Sequence, residues 1–324
     1  MTNSSTLSKK QSSQGDLTCW ILTEGMIGTQ NQCVGVAEAL GIEPIIKKIG
    51  LRQPWKTCSP WLKFEIAQTF TPSLNAPWPD LLIASGRKSI AASRYIKKKS
   101  HGKTFTVQIQ DPKTSSDQFD LVAVPFHDSL RDDNVIVTDG APNRLTKEKL
   151  HNAKKEFSSL FKSMDTPRVA VLIGGNSRTH KLTTEITQKL VRQLSQIDAH
   201  LMITTSRRTG EENLQIIQQE LSTADNFVWD GTGDNPYFGM LAWADYIIVT
   251  SDSVSMLSDA GTTGKPVYVV NLEGKSPRFD RLHNHFKDLG ITRNFEGSLE
   301  PWEYEALNDA QIIANAIKEN WDKI

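Results

Sequence analysis

The chain has 324 residues, of which 38% are hydrophobic and 23% charged, and its 37 Lys and Arg balance 37 Asp and Glu. That length suits two domains of ordinary size. The neutral balance excludes the strongly basic profile of a nucleic-acid binder, and no run approaches the roughly 18 apolar residues of a membrane span.

Residues 1–15 are polar, rich in Ser, Thr and Gln, and lack the apolar core of a signal peptide. They read as a disordered tail. Cys19, Cys33 and Cys58 are odd in number and have no metal-ligand spacing. Cys19 falls in a strand pattern and Cys33 in a helix pattern, so both read as reduced core residues. A cytoplasmic location is expected.

From residue 18 strands and helices alternate. Strands are expected at 18–22, 44–49, 80–84, 104–109, 121–124 and 135–137, and helices at 30–40, 89–99 and 146–164. Gly41 ends the first helix and Lys97, Lys98 and Lys99 close the second, as the helix dipole prefers. Asp165-Thr166-Pro167 breaks the chain and the alternation restarts. Strands then follow at 169–173, 201–205, 227–229, 246–249 and 266–270, with helices at 183–197 and 309–321. Such alternation predicts an α/β fold of two Rossmann-like domains, each a parallel sheet covered by helices, facing a cleft. The expected limits are 16–165 for an acceptor-side domain and 166–298 for a nucleotide-sugar domain. Residues 299–324 would form helices that pack back on the first domain.

The densest chemical signal is Ser251-Asp252-Ser253 with Ser255, Met256 and Asp259, between the strand at 246–249 and Gly264-Lys265-Pro266. Small polar residues at a helix start cap it, and its free N–H groups attract phosphate. Gly174-Gly175-Asn176-Ser177 follows another strand, where glycine lets backbone amides approach a phosphate. Arg207 and Arg208 end a third strand and could hold a diphosphate bidentately. Each has a plainer reading: capping, a tight turn, or solvated arginines. The pattern Gly-x-Gly-x-x-Gly is absent, which disfavours a dinucleotide cofactor. Tyr95 and Lys99 have the spacing of a dinucleotide-dependent epimerase pair, but without a Gly-rich fingerprint it reads as chance. Pro54-Trp55-Lys56 and Pro60-Trp61-Leu62-Lys63-Phe64 mix aromatics with lysines. That mixture suits a membrane interface or an ordinary packed helix.

Two resemblances follow. Ala242-Trp243-Ala244-Asp245, the serine turn, Asp259 and Gly264-Lys265-Pro266 resemble the nucleotide-sugar domain of GT-B glycosyltransferases, above all the N-acetylglucosaminyltransferase of peptidoglycan synthesis. From about Leu17 the chain is similar to the elongated-mitochondria (mitochondrial fission) family. The matching segments are Gly28-Thr29-Gln30-Asn31-Gln32, Ser85-Gly86-Arg87, the run 105–112, Pro125-Phe126-His127-Asp128, the run 173–178 and the run 204–209. The resemblance implies a GT-B-like fold and a nucleotide-diphosphate sugar as donor; no acidic pair has metal-ligand spacing, so neither a metal nor a further cofactor is required. Residues 174–177, 207, 208, 251–253, 255, 256 and 259 would form the nucleotide side. Gly28, Thr29, Asn31, Gln32, Gly86, Arg87 and Glu273 would lie on the sugar or acceptor side. Where the family reads Asp and His, this chain has Glu24 and Thr29, and Thr cannot act as a base near neutral pH. Glu24 and Asp111 are therefore the candidate catalytic carboxylates, with His127 a further residue to weigh. The alternative is a non-catalytic, membrane-associated adaptor that keeps the fold. A lipid-linked acceptor or a membrane surface is a further expected partner, with peripheral attachment to a membrane's inner face; protein partners are left open.

Overall fold

The structure is a computed structural model in which residues 17–321 are described; the tail expected at 1–15 lies outside them. In the first half, β1 (Cys19–Thr23) leads into α1 (Ile27–Ala39) and β2 (Ile45–Lys48). Next come β3 (Leu81–Ser85), α2 (Arg87–Lys99), β4 (Phe105–Ile109), β5 (Leu121–Pro125), β6 (Val135–Thr138) and α3 (Lys147–Glu156). The six strands form one sheet in the order β2-β1-β3-β4-β5-β6, with every pairing parallel. Helices cover both faces of such a sheet, so its central strands read as unbroken apolar runs such as Cys-Trp-Ile-Leu-Thr.

The second half repeats the design. It runs β7 (Arg168–Ile173), α4 (Thr184–Leu194), β8 (His200–Thr205), α5 (Glu211–Leu221), β9 (Phe227–Val228), α6 (Tyr237–Trp243) and β10 (Tyr246–Thr250). It ends with α7 (Val254–Thr262), β11 (Val267–Val270), α8 (Pro277–Asp288) and β12 (Thr292–Asn294). These strands form a second parallel sheet, ordered β9-β8-β7-β10-β11-β12. The order reverses between β7 and β10, and in the first sheet between β1 and β3. Such switch points open crevices at the strands' carboxyl ends.

Several helix bounds differ from the sequence expectation: α4 ends at Leu194, and of 299–324 the described helix is Asp309–Asn320 alone. The helix expected at 146–164 stops at Glu156, and Ser158–Phe161 forms a separate turn. The reason is Phe157, whose ring lies so close over Gly239 of α6 that a Cβ there would sit 2.6 Å from it. The first helix begins three residues early, at Ile27, with no side-chain cap that sequence could reveal.

The final helix, α9 (Asp309–Asn320), returns to the first half. Its Ile313 and Ile317, with Trp321 beyond it, join Cys33, Val34 and Val36 of α1 in one core cluster. The link between the sheets is tied down on the way. The Asp139 and Gly140 amides donate to the Asp309 carboxylate at 3.0 and 3.1 Å. The Ala141 amide donates to Ser258 Oγ at 2.9 Å, and Asn143 Nδ2 to Thr262 Oγ1 at 2.8 Å. Gly35 allows α1 to touch this segment, because a Cβ would meet the Asn143 carbonyl at 2.1 Å.

Candidate functional site

The switch point of the second sheet is built around Asp252, whose side chain is fully buried. Its Oδ2 accepts from the Gly175 amide at 3.0 Å and pairs with Arg208 Nη2 at 2.7 Å. Its Oδ1 accepts from Thr250 Oγ1 at 2.7 Å, while that hydroxyl accepts from the Gly174 amide. Glycine is required twice over here. A Cβ on Gly174 would sit 2.3 Å from Asp252, and one on Gly175 2.1 Å from the Arg208 carbonyl. The turn's remaining donors are also used. The Asn176 amide donates to the Arg208 carbonyl and the Ser177 amide to the His180 carbonyl. Asn176 Oδ1 accepts from Leu182 and Ser177 Oγ from His180. Residues 174–177 therefore spend their amides on the fold, and the helix that follows starts only at Thr184.

The serine turn divides in the same way. Ser251 is buried, its Oγ accepting from the Leu272 amide and its carbonyl bonded to His283 Nε2. Ser253 caps α7, accepting from the Met256 amide at 3.3 Å. Met256 packs against the core. Ser255 and Asp259 remain, and both line a cleft between the two halves. Across from them lie Gly28, Asn31 and Gln32 of α1. A Cβ on Gly28 would stand 3.5 Å from Ser255 Oγ, so the two halves touch here. The enclosed space is about 80 Å³.

Asp259 is the electrostatic centre of this cleft. It is half-buried. Desolvation pushes its carboxyl up to about 7, against the lowering effect of the Tyr237 hydroxyl. That hydroxyl donates to Asp259 Oδ2 at 2.9 Å and is itself pushed up by burial and by the Asp259 charge. Tyr237, Phe238 and Arg144 line the cleft but escape sequence reasoning. The only hint was position, because Tyr237 opens the helix leading to Ala-Trp-Ala-Asp. Lys265, read only as part of a motif, bonds the Leu241 and Ala242 carbonyls at 2.6 and 2.9 Å and so closes α6. Burial lowers its ammonium to about 8.

Other candidates lie outside the cleft lining. Glu24 accepts from the Lys88 amide at 2.7 Å and pairs with Lys88 Nζ at 3.0 Å, so it anchors the start of α2 beside Gly86. Arg87 bonds the Ser59 and Lys56 carbonyls at 2.9 and 3.2 Å. Asp111 is held in a turn by the Lys113 amide and ammonium, at 2.8 and 2.6 Å. Thr29 donates to the Met26 carbonyl. Glu273 is exposed on a two-residue strand paired with His180–Lys181. Arg207 is exposed beyond β8. His127 is fully buried with neither ring nitrogen bonded, and burial and nearby arginines lower it to about 3. Tyr95 packs on Phe70 and Trp78 in the first domain's core. Among the described residues no group of three or more His, Cys, Asp or Glu side chains is arranged to hold a metal ion.

Two parallel α/β domains meeting across a cleft define a GT-B-type protein. Solved structures with this arrangement include the forosaminyltransferase SpnP, at 13% identity and TM-score 0.54 over 94% of this chain and 91% of that one. The UDP-GlcNAc 2-epimerase of Methanocaldococcus jannaschii aligns at 11% identity and TM-score 0.52, over 93% and 91%. The Neisseria meningitidis UDP-GlcNAc 2-epimerase bound to UDP-GlcNAc aligns at 14% and 0.50, over 94% and 99%. At such identities the likeness shows the fold. The chain belongs to the mitochondrial fission ELM1 family, whose model matches residues 27–321. It is 30% identical to the Arabidopsis thaliana mitochondrial fission protein ELM1 over 272 residues, 74% of this chain. It spans 63% of that relative's length. An uncharacterized Rickettsia prowazekii protein is also 30% identical, over 74% of this chain and 79% of its own length.

Proposed function

We propose that the protein binds a nucleotide-diphosphate sugar and transfers the sugar, as a GT-B glycosyltransferase without a required metal or further cofactor. The carrying observation is the meeting of Ser255 and Asp259 with Gly28, Asn31 and Gln32 across one cleft at a topological switch point. The start of α7 supplies amides and Ser255 for the diphosphate. A ribose diol donates to Asp259, and exposed Arg207 is free to reach the phosphates. The first domain would hold a lipid-linked or envelope glycan acceptor. Asp111, once released from Lys113, is the carboxylate left to take the acceptor's proton. A space of about 80 Å³ is smaller than the ~300 Å³ at which ligand pockets begin, so binding requires the halves to part.

A thermal-shift series with uridine, guanosine, cytidine and thymidine diphosphates and their sugars tests the reading. At about 100 times Kd, one nucleotide should stabilise the protein by roughly 2.7 kcal/mol. Asp259→Ala and Ser255→Ala should each reduce that shift. A shift unchanged by both substitutions would remove the site. A second reading, an adaptor that keeps the fold without turnover, is favoured by one observation: Glu24 is engaged by Lys88. Saturable nucleotide binding without sugar release would select it.

A further inference from the structure

We infer that the first domain docks on an anionic lipid bilayer through a face made by the β1–α1 loop and the segment 52–66. Four large apolar side chains stand out of this face: Met26 at 64% exposure, Ile27 at 69%, Trp61 at 68% and Phe64 at 69%. In a water-facing loop they gain nothing from exposure, and their positions are fixed. Trp55 Nε1 donates to the Phe64 carbonyl at 2.6 Å, while Arg94 bonds the Pro60 and Leu62 carbonyls at 2.6 and 2.9 Å from beneath. The backbone is thus held rigidly while Trp61 and Phe64 project outward.

Side-chain contacts join the two segments into one surface. A Cβ on Gly25, next to Met26, would stand 3.9 Å from the Lys48 side chain. Glu24 on its other side binds Lys88, and the neighbouring Arg87 grips the carbonyls of Lys56 and Ser59. Those residues lead directly to Trp61. Around the apolar tips stand the exposed cations Lys48, Arg52, Lys56, Lys63 and Arg87. The two acids of the region are neutralised within it, Glu24 by Lys88 and Glu65 by Arg94. The whole chain carries no formal net charge, so positive charge is concentrated on this face.

That composition selects a bilayer over a protein partner. Protein interface cores are depleted of lysine. Lysines interleaved with Trp, Phe and Ile are what an anionic headgroup layer over acyl chains accepts, the aromatics entering the interface and the ammonium groups meeting phosphates. Position agrees with this. Gly28, two residues past Met26, faces Ser255 in the cleft, so a docked protein holds its cleft mouth near the headgroups. The inference deepens the acceptor side of the proposed function. It rests on that reading only for what the bilayer would deliver.

Vesicle flotation of the full chain tests it, with phosphatidylcholine vesicles against vesicles doped with phosphatidylglycerol, at low and high salt. Protein should float with the anionic vesicles and be released by salt, because screening shortens the reach of these charges. Each charge reversal in Lys56→Glu with Lys63→Glu should lower partitioning roughly fivefold or more. Trp61→Ser with Phe64→Ser should lower it by at least about tenfold. Leu289→Ser, an exposed apolar site on the second domain, should leave flotation unchanged. Absence of flotation with anionic vesicles, or equal loss in the Leu289 control, overturns the inference. Calorimetric titration of the same proteins with the preferred nucleoside diphosphate separates the two proposals. Nucleotide binding without flotation removes the membrane face alone, and flotation without nucleotide binding removes the transferase reading alone.

Discussion

Asp252 and Asp259 sit seven residues apart in one motif and have opposite fates. Asp252 is ionically paired and bonded on both oxygens, so it shapes the crevice. Asp259 faces the cleft with one neutral donor, Tyr237, and its proton is held up to about 7. The consequence for stability has a definite sign. Below 3.8, the ordinary carboxyl value, both folded and unfolded chains hold this proton. Between there and about 7 the unfolded chain releases it first, so stability falls as pH rises through that window. Asp259→Asn removes the titration and can still accept from Tyr237. Urea midpoints should therefore favour the variant over the parent more at about pH 8 than at about pH 4. A difference independent of pH would show that the carboxyl titrates normally. Sequence marked both aspartates, together with Ser251, Ser253 and Ser255, as one nucleotide-binding cluster. It could not tell which of them the second sheet would consume, because that depends on partners such as Gly175 and Leu272, 77 and 21 positions away.

At the level of elements, the contact of α3 with α6 shows how one residue redirects a helix. Phe157 ends α3 where the periodic pattern continues to Met164, because its ring fills the space over Gly239. Gly239→Ala sets two effects against each other. Alanine in a helix interior gains up to about 1 kcal/mol over glycine. The new Cβ would lie 2.6 to 2.7 Å from three atoms of Phe157, and overpacking of that kind costs roughly 1–3 kcal/mol. Net destabilisation is expected in a denaturant melt, with partial recovery when Phe157→Leu is added, since the two sites couple directly. Strand placement was readable from sequence because buried parallel strands are written as apolar runs, as in Tyr246–Thr250 and Arg168–Ile173. Helix ends were less readable, since α1 starts without a capping side chain.

Across the whole molecule, the C-terminal helix decides how the halves are joined. The chain crosses once from the first sheet to the second and then sends α9 back to cover α1. Its Asp309 also holds the crossing segment, and burial with the neighbouring Asp139 pushes that carboxyl up to about 6. Further ties span the halves: Arg278 with Asp128, His285 with Asp139, and the Phe126 ring stacked on His285 at 3.7 Å. A chain truncated before Asp309 would expose Cys33, Val34 and Val36 and release the crossing segment. Calorimetry should then resolve two transitions, the first half melting below the second. A single transition at the parent temperature would show that α9 contributes little.

The sequence by itself determined the alternation of strands and helices, hence the two parallel sheets, and it carried the motifs that place the chain in its family. Those features are local, written in apolar runs, glycines and helix-closing charges that act over a few residues. Only the tertiary structure decided which polar residues are available. It buried Gly174, Gly175, Ser251 and Asp252, bonded the amides of Asn176 and Ser177 to backbone carbonyls, occupied Glu24, Arg87 and Asp111 with neighbours, and left Ser255 and Asp259 facing α1 together with Tyr237. The physical reason is hydrogen-bond accounting: a buried polar group is satisfied by whatever the fold brings to it, and those partners are remote in sequence.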